Sequence, residues 1–369
     1  MITVTRIDRR QFDTELQNAK VLIPIEQTDE WSRFQATIPG RSPWGCVRIS
    51  KDGKPIAYAS FSDYETHGYR YLRSHHGPIW IGGEPDESME KDALTALTRF
   101  IHQEDPKVVF IRLAVEHEIR QVTRPALSIV PYDSTVVIDV TGGDEAILKR
   151  MKPRGRRDVR KSLRESPISC ADETEMASKS FQEYYQLMVE TGKRDGFTPS
   201  PISEYESMIR ILGPEHCRVF AGRLDGKVVT WSIITVSGHR AVRYYAASST
   251  RTMRRHVGDK LVYFECCALG KSQLGVTDYD LMGIGSPMSP SLYGLNEFKT
   301  KFTKEITHVP PDRDVPVRHG FYRALVAGKQ VLNVLRGDTS HGTRESEHER
   351  KVRAKKQAES RPSTTESRH

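Results

Sequence analysis

Two stretches of the chain repeat one pattern and decide the fold: VRISKDGKPIAY (residues 47–58) and RVFAGRLDGKVVTWSIITVS (residues 218–237). Each stretch consists of an apolar run, an Asp-Gly pair and a second apolar run. Because Asp-Gly tolerates the positive backbone angles of a tight two-residue turn, each stretch predicts a β-hairpin. The same hairpin at two places in one chain indicates an internal repeat.

The segments that follow each hairpin also correspond. A strand, a helix and a short apolar strand are predicted at 70–79, 87–102 and 107–115, and again at 240–247, 257–274 and 278–282. Two similar α/β units in tandem are the simplest architecture for a chain of 369 residues. We expect one domain at 1–145, completed by a helix at about 316–336, and a second domain at 146–315. Residues 337–369 are charged and nearly free of apolar residues, which predicts a disordered tail.

Bulk composition narrows the function classes. With 37% hydrophobic and 28% charged residues, the chain is typical of a soluble globular protein. It contains neither an apolar run of membrane-spanning length nor an apolar signal core after Met1, so we expect a cytoplasmic location. Five cysteines without CxxC spacing predict reduced thiols. His75 and His76 would face opposite sides of a strand, so no metal site is predicted.

One stretch, YDLMGIGSPMSPSLYGLNEFKTKF (residues 279–302), is typical of a ligand site. An apolar strand ends at Asp280, breaks at glycines and prolines, and leads into a helix that carries lysines. Ligand sites in open α/β sheets lie beyond the carboxyl ends of strands, and glycine lets the backbone approach a ligand closely. An ordinary strand-loop-helix connection is the alternative interpretation.

A basic segment joins the two predicted units. Nine of the sixteen residues at 149–164 are lysine or arginine. Arginines spaced three or four apart there can form one positive stripe that neutralises several phosphates. The net charge of +8 also favours a polyanionic partner. The alternatives are a solvated helix face and contact with RNA or a phosphorylated ligand.

The segment RHVGDK (residues 255–260) resembles the turn with which acetyltransferases of the GNAT fold bind the pyrophosphate of coenzyme A at a helix start. Here Lys260 replaces the second small residue of that motif, and Asp259 adds a negative charge where phosphates would bind. The turn therefore indicates the fold but disfavours acetyl coenzyme A, and no cofactor is predicted.

Several short motifs follow one another in a specific order and spacing: Ser42-Pro43-Trp44-Gly45 with Arg48, Gly77-Pro78, the arginine-rich joint, Arg194-Asp195-Gly196-Phe197, Tyr244-Tyr245, the turn at 254–260, Tyr279-Asp280-Leu281-Met282-Gly283, and Gly294-Leu295 with Phe298-Lys299. In these motifs the chain resembles the FemX/FemA/FemB family of peptidoglycan bridge-forming aminoacyltransferases, over roughly residues 30–315. This family has two GNAT-like units. The resemblance thus implies an α/β (α+β) fold of two tandem GNAT-like acyltransferase domains, here without a long coiled-coil arm.

The resemblance also implies a reaction. Similar proteins transfer an amino acid from aminoacyl-tRNA, as co-substrate, to the side-chain amine of the third stem-peptide residue of a peptidoglycan precursor. The acceptor is lipid II or UDP-MurNAc-pentapeptide. We accordingly expect a cytoplasmic monomer that works at the inner face of the plasma membrane through peripheral contact.

Residue roles follow from the matching positions. Lys299 is expected to stabilise the oxyanion formed when an amine attacks an ester, or to hold the terminal tRNA phosphate. Arg48 and Arg194 are expected to bind the carboxylates and diphosphate of the precursor. The remaining substrate-binding positions are Trp44, Tyr245, Asp280, Gly283 and Phe298, and the tRNA-binding positions are Arg156, Arg157, Arg160 and Lys161.

Two departures from the family pattern stand out. The family often has lysine at the position of Arg48, and often an aspartate soon after Gly77-Pro78, where this chain has Ile79-Trp80-Ile81. No general base is therefore assigned. Two alternatives stay open: a tandem GNAT-fold N-acyltransferase that uses another activated acyl donor, and a non-catalytic RNA-binding protein on the same scaffold.

Overall fold

The computed structural model describes residues 1–127 and 129–335. Residues 1–322 form one compact unit, which contains both sheets. From Arg323 the chain belongs to a second unit, whose described part continues the last helix to Leu335. The tail predicted at 337–369 lies outside the described residues.

The secondary structure alternates between strands and helices along the chain. The strands are β1 (Ile2–Ile7), β2 (Arg41–Lys51), β3 (Lys54–Thr66), β4 (Tyr69–Ser74), β5 (Ile79–Trp80), β6 (Val108–Ala114), β7 (Arg124–Pro125), β8 (Ser134–Asp139), β9 (Ser169–Asp172), β10 (Cys217–Leu224), β11 (Lys227–Ser237), β12 (Arg240–Ser248), β13 (Asp278–Gly283), β14 (Thr307–His308) and β15 (Asp312–Pro316). The helices are α1 (Arg9–Ala19), α2 (Asp29–Gln35), α3 (Glu87–Glu104), α4 (Asp144–Arg150), α5 (Pro153–Glu165), α6 (Thr174–Lys179), α7 (Gln182–Asp195), α8 (Ile202–His216), α9 (Val257–Lys271), α10 (Asn296–Lys299) and α11 (His319–Leu335). Among the described residues, none of these helices combines the length and the apolar character that crossing a membrane requires.

Both predicted hairpins are confirmed. Strands β2 and β3 pair antiparallel around Asp52-Gly53, and β10 and β11 do so around Asp225-Gly226. All four turn residues have positive φ, between 50° and 78°. Asp and Gly adopt this backbone region more readily than other residues, which is why the same dipeptide closes both turns.

The internal repeat extends beyond the hairpins. In each copy a third strand pairs antiparallel with the hairpin, and a helix leads from it to a strand that lies parallel to it. In the first copy β4 pairs with β6 across α3, and in the second copy β12 pairs with β13 across α9. The first sheet has the order β1-β2-β3-β4-β6-β15-β7, with β5 on β3. The second has the order β14-β8-β13-β12-β11-β10-β9. The predicted fold class, two similar α/β units, is confirmed.

The two sheets do not follow the predicted domain limits of 145 and 315. Strand β8 precedes residue 145 but pairs with β13 in the second sheet, where Val136 and Ile138 are buried in the core. Strand β15 begins at Asp312, before the predicted limit of 315, but pairs with β6 in the first sheet, where Val315 is buried. The apolar alternation of β8 fits either core, so composition alone placed the boundary at the charged start of α4.

Helices cover both faces of the second sheet. Alternate residues of β11, such as Ile234 and Ile233, enter two separate cores, as the two-residue period of a strand requires. The first core contains residues of α4, α5 and α9. The second contains residues of α6, α7 and α8 and also Trp31 and Phe34 of α2. This packing brings the turn at Ile25–Gln27, just before α2, against β11.

Helix α5 begins in close contact with the loop that follows α10. The carbonyl oxygen of Lys301 accepts a hydrogen bond from the Lys152 amide at 3.2 Å, and a Cβ added to Gly155 would lie 2.1 Å from the same oxygen. Gly155→Ala is therefore expected to push α5 away from this loop and to destabilise the fold by about 1–3 kcal/mol. Urea denaturation monitored by circular dichroism measures the change.

Gly294→Ala is the matched control, because a Cβ at Gly294 would meet no atom within 4 Å. Equal unfolding midpoints for the two variants would contradict the expected clash at Gly155.

Candidate functional site

The parallel strands β12 and β13 diverge after a short paired segment. They pair only between Arg240–Val242 and Asp278–Asp280. Beyond this point Met282 has a φ of 63°, and the bulge in β12 leaves Tyr244 as the extra residue opposite β11. A bulge redirects the side chain it carries. The divergence opens a crevice at the carboxyl end of β13, the position where open α/β sheets bind ligands.

Lys299, at the end of α10, lies against the last residues of β13. Its Nζ donates to the carbonyl oxygens of Met282 at 3.2 Å and Gly283 at 2.8 Å. Burial and the positive charge of Arg243 lower the pKa of Lys299 to about 8, against the opposing effect of Asp280. The ammonium group is thus held at the strand end and titrates close to neutral pH.

A buried hydrogen-bond network holds the guanidinium of Arg243 in place. Glu265, fully buried on α9, accepts hydrogen bonds from Arg243 Nε at 3.1 Å, Tyr279 Oη at 2.6 Å and Ser232 Oγ. Because every donor to this carboxylate comes from a different strand, the network joins β11, β12 and β13 at the point where the crevice begins. Arg243 is held in place near Lys299 by these contacts.

Asp280 and Gly283 shape the other side of the crevice. Asp280 accepts hydrogen bonds from Thr135 Oγ1 and from the Met282 amide, the latter at 2.7 Å. A Cβ added to Gly283 would lie 2.5 Å from the ring of Tyr132. Gly283 therefore lets the Tyr132 ring lie directly against the strand, beside the carbonyl that Lys299 contacts.

Two adjoining cavities lie between the first and second sheets. The larger has a volume of about 480 Å³, and its walls include Glu26, Trp80, Tyr132, Arg240 and Asp280. The smaller, about 160 Å³, is lined by Tyr244 and Met282 among others. His76, Tyr132 and Pro310 border both cavities. The backbone segment that binds Lys299 thus forms part of the wall of this composite site.

The amino-terminal end of α9 is covered by side chains. A Cβ at Gly258 would lie 3.3 Å from the ring of Phe298, and Asp259 forms an ion pair with Lys301. Lys260 turns away and donates to the carbonyl oxygens of Ser166 at 2.9 Å and Ile168 at 2.7 Å. The helix end that would bind a pyrophosphate in a GNAT enzyme therefore carries a carboxylate and an aromatic ring.

Comparisons with known proteins agree with this architecture. A family model described as an acetyltransferase (GNAT) domain matches residues 149–300. The structure is similar to a crystal structure of FemX, with 16% identity, a TM-score of 0.66, and coverage of 87% of this chain and 99% of that chain. It is also similar to a tandem GNAT protein from the clavulanic acid biosynthesis pathway, with 7% identity, a TM-score of 0.51, and coverage of 86% and 99%. The chain has the tandem GNAT fold. No curated protein matches it by sequence.

The expected resemblance to FemX is thus confirmed at the level of the fold. The domain match and the tandem GNAT fold together support an acyltransferase. The fold identifies neither the acyl donor nor the acceptor, and both are argued below from the residues of the site.

Two predicted substrate-binding residues lie outside both cavities. Arg48, on β2, forms an ion pair with Glu15 at 2.9 Å, and Tyr58 donates to the same carboxylate. The guanidinium of Arg6 lies 4.3 Å from the ring centre of Trp44. Both predicted residues are thus engaged by neighbours on the first sheet and α1, and neither lines the composite site.

Arg194, Tyr245 and Phe298 also lie beside the site rather than on its walls. Arg194, at the end of α7, donates to the Ser248 carbonyl at 2.6 Å. The Tyr245 ring packs against Tyr205 at 5.0 Å, and burial raises its pKa to about 12. Its neighbour Tyr244 lines the smaller cavity instead, because successive side chains at the bulge point in different directions. Phe298 covers the α9 end described above.

The predicted tRNA-binding residues all lie on α5. Arg156 and Arg160 line an open groove of about 610 Å³ together with Lys149 and Lys304. Lys161 lines a second groove of about 300 Å³ with Arg254 and Arg255. Arg157 is exposed beside Asp158, with 3.3 Å between the charged groups. The segment predicted as a basic joint is thus a helix packed against the second sheet, with positive charge on its exposed side.

Several residues of the composite site were not among the predicted positions, including Glu26, Tyr132, Arg240 and Tyr244. Glu26 and Tyr132 lie in connecting segments far from β13 in sequence. The Tyr244-Tyr245 pair is among the motifs quoted from the sequence, and the bulge in β12 places Tyr244 at the smaller cavity. Arg240 begins a strand after a turn, a position where an arginine is usually solvated, so spacing offered no signal.

Proposed function

We propose that this protein transfers an aminoacyl group from aminoacyl-tRNA to the side-chain amine of the third residue of a peptidoglycan precursor stem peptide. The tandem GNAT fold shared with FemX supports this proposal. The choice of donor is argued from the side chains that cover the start of α9, and the chemistry of transfer is argued from Lys299.

The covered α9 end is the observation that carries the proposal. An acyl coenzyme A donor would place its pyrophosphate against the backbone amides of this helix start. Here the ring of Phe298 lies against Gly258, and Asp259 and Lys301 form a buried ion pair at this helix start. A donor whose phosphates bind elsewhere fits this surface better.

The grooves beside α5 supply the alternative position for phosphates. Arg156, Arg160, Lys149 and Lys304 border one groove, and Lys161, Arg254 and Arg255 border the other. Two basic grooves that share one helix suit a long polyanion better than one small anion. The acceptor stem of a tRNA is such a polyanion.

Lys299 is the proposed source of electrostatic stabilisation. In the reaction the acceptor nitrogen attacks the ester carbonyl carbon, an oxyanion forms, and the bond to the tRNA ribose oxygen breaks. The attacking amine, which enters neutral, loses one proton, and the leaving ribose oxygen takes it up. An ammonium group held rigidly at the strand end stabilises the oxyanion without reorganisation.

A transfer assay tests the proposal. Purified protein is incubated with a total tRNA pool charged with radiolabelled amino acids, and with lipid II or UDP-MurNAc-pentapeptide. Label on either precursor supports the proposal and identifies the donor. A parallel reaction with labelled acetyl coenzyme A tests the alternative acyl donor. Transfer from that donor alone would overturn the proposal, and tRNA binding without any transfer would favour the RNA-binding alternative.

Salt dependence tests the position of the tRNA. Replacing the exposed residues Arg157 and Arg160 with glutamine is expected to weaken tRNA binding. The slope of log affinity against log salt concentration should fall by about 1.4–1.8, because each phosphate contact contributes about 0.7–0.9. Filter binding over a salt series measures this slope. The double variant of Arg10 and Arg99, exposed on α1 and α3, is the control, and an equal change there would contradict the assignment to α5.

A further inference from the structure

The larger cavity contains a buried carboxylate with one weak partner. The side chain of Glu26 is only 4% exposed, and its contact is with His76 Nε2 at 3.8 Å. This distance exceeds that of a hydrogen bond, and no other hydrogen bond reaches the Glu26 carboxylate within the described residues. A buried carboxylate is normally paired, so a cationic group of a ligand fits here.

The wall of the same cavity also carries Arg240, a cation without an ion-pair partner among the described residues. Arg240 forms no ion pair with any described residue, and its Nε is buried without a hydrogen-bond partner. Thr235 lies on the same side of the β11–β12 hairpin, and its buried hydroxyl also has no partner in the described part of the chain. Two unpaired groups that can donate to an anion therefore face the cavity together.

The other acidic side chains on the cavity wall are accounted for. Glu116 contacts His308 Nε2 at 3.2 Å, and Asp280 accepts from Thr135 and the Met282 amide. Glu84 is exposed. Among the described residues of this wall, Glu26 is the buried carboxylate without a hydrogen bond, and Arg240 is the guanidinium without an ion pair. The turn that carries Glu26 packs against β11, so both charges border one space of about 480 Å³.

We infer that this cavity binds a zwitterionic group, with its ammonium at Glu26 and its carboxylate at Arg240 and Thr235. The inference rests on the proposed function and specifies its acceptor. The aminoacyl ester of the donor has an ammonium but no free carboxylate on the same carbon. A lysine side chain at position three of the stem peptide likewise ends in an amine alone. A diamino dicarboxylic acid such as 2,6-diaminopimelate ends in an amine and a carboxylate on one carbon, and it matches both charges.

Binding of three UDP-linked pentapeptides tests the inference without requiring catalysis. Their third residues are lysine, 2,6-diaminopimelate, and diaminopimelate with its side-chain carboxylate amidated. Calorimetry with the full chain is expected to give at least about tenfold tighter binding of the diaminopimelate form than of the other two, as a charge-assisted hydrogen bond supports. Equal affinity for all three would overturn the inference.

Two variants separate the roles of the charges. Arg240→Gln is expected to abolish the preference for diaminopimelate while leaving lysine-form binding unchanged. Glu26→Gln is expected to weaken both forms equally, because both have the ammonium. Arg218→Gln, on β10 of the same sheet, is the control. A preference for diaminopimelate that survives Arg240→Gln would overturn the assignment. A loss of affinity that is equal for all three ligands would also overturn it, because Arg240 would then bind a carboxylate common to every stem peptide.

The transfer assay distinguishes a failure of this inference from a failure of the proposed function. Preferential binding of the diaminopimelate form without transfer from aminoacyl-tRNA supports the cavity assignment and rejects the donor. Transfer with a preference for the lysine form supports the reaction and rejects the cavity assignment.

Discussion

Lys299→Ala is expected to lower the rate constant for aminoacyl transfer by about 10²–10³, the usual effect of removing one oxyanion-stabilising group. The ammonium of Lys299 is held by the carbonyl oxygens of Met282 and Gly283 at the end of β13. Alanine removes the positive charge at that position while the strand and the cavity walls stay in place. The effect should therefore lie in the rate of transfer and not in the affinity for either substrate, which single-turnover assays measure directly.

The pH dependence provides a second test of Lys299. Because burial and Arg243 lower the pKa of Lys299 to about 8, the group is charged below that pH and neutral above it. Stabilisation of the oxyanion by a cation should therefore decline as the pH rises through about 8. Lys299→Arg is expected to be slower than the wild type but to lose this decline, because a guanidinium stays protonated there.

Lys179→Ala is the control for these measurements, since Lys179 is an exposed lysine on α6 that pairs with Glu175. A Lys299→Ala rate within a few-fold of the control would show that Lys299 only supports the backbone of the loop. A pH profile of Lys299→Arg identical to that of the wild type would assign the decline to another group.

The overall fold could be predicted because its deciding signals are local. The Asp-Gly turns at Asp52 and Asp225 depend on the backbone preferences of the residues that form them. The repeat of hairpin, strand, helix and strand follows from apolar periodicity within each segment. The position of Lys299 next to β13 could be predicted for a similar reason, because a break after β13 and a short helix leave little choice for where that lysine lies.

The walls of the site could not be predicted, because they depend on pairings between distant segments. Arg48 looked free in the sequence, yet Glu15 on α1 neutralises it at 2.9 Å. Glu26 carries no signal in the sequence, yet the turn at Ile25–Gln27 packs against β3 and β11 and buries its side chain at the cavity. Charge along the chain therefore identified candidate groups, and tertiary pairing determined which of them stay available for a ligand.

The sheet pairing of two strands departs from the predicted domain boundary for a related reason. Strands β8 and β15 each cross to the sheet of the other unit, so the two halves of the chain exchange one strand each. Strand pairing over more than a hundred residues leaves no periodic signal in either strand. One consequence is that the contacts of β15 should matter more for stability than its length suggests.

Asp314→Ala is accordingly expected to destabilise the protein by about 3–5 kcal/mol, the usual cost of leaving a buried charge without its partner. Asp314 on β15 is fully buried, and its carboxylate pairs with Arg112 of β6, with Arg112 Nε 2.6 Å from Oδ1. It also accepts from the Leu127 amide at 2.9 Å and from Tyr322 Oη at 3.1 Å. Alanine would leave the guanidinium of Arg112 buried in the first sheet with a single carbonyl acceptor, at Leu127. Urea denaturation followed by circular dichroism measures the loss.

Two further variants separate the charge from the packing. Replacing both partners, as in Arg112→Met with Asp314→Leu, is expected to recover part of the stability, because no unpaired charge then remains. Glu175→Ala, which breaks an exposed pair on α6, should leave the unfolding midpoint unchanged. If Asp314→Ala unfolds at the same midpoint as Glu175→Ala, the buried pair does not hold β15 in the first sheet. Asp312 on the same strand pairs with Arg73 at the wall of the smaller cavity. Loss of the Asp314–Arg112 pair should therefore also reduce ligand binding before the protein unfolds.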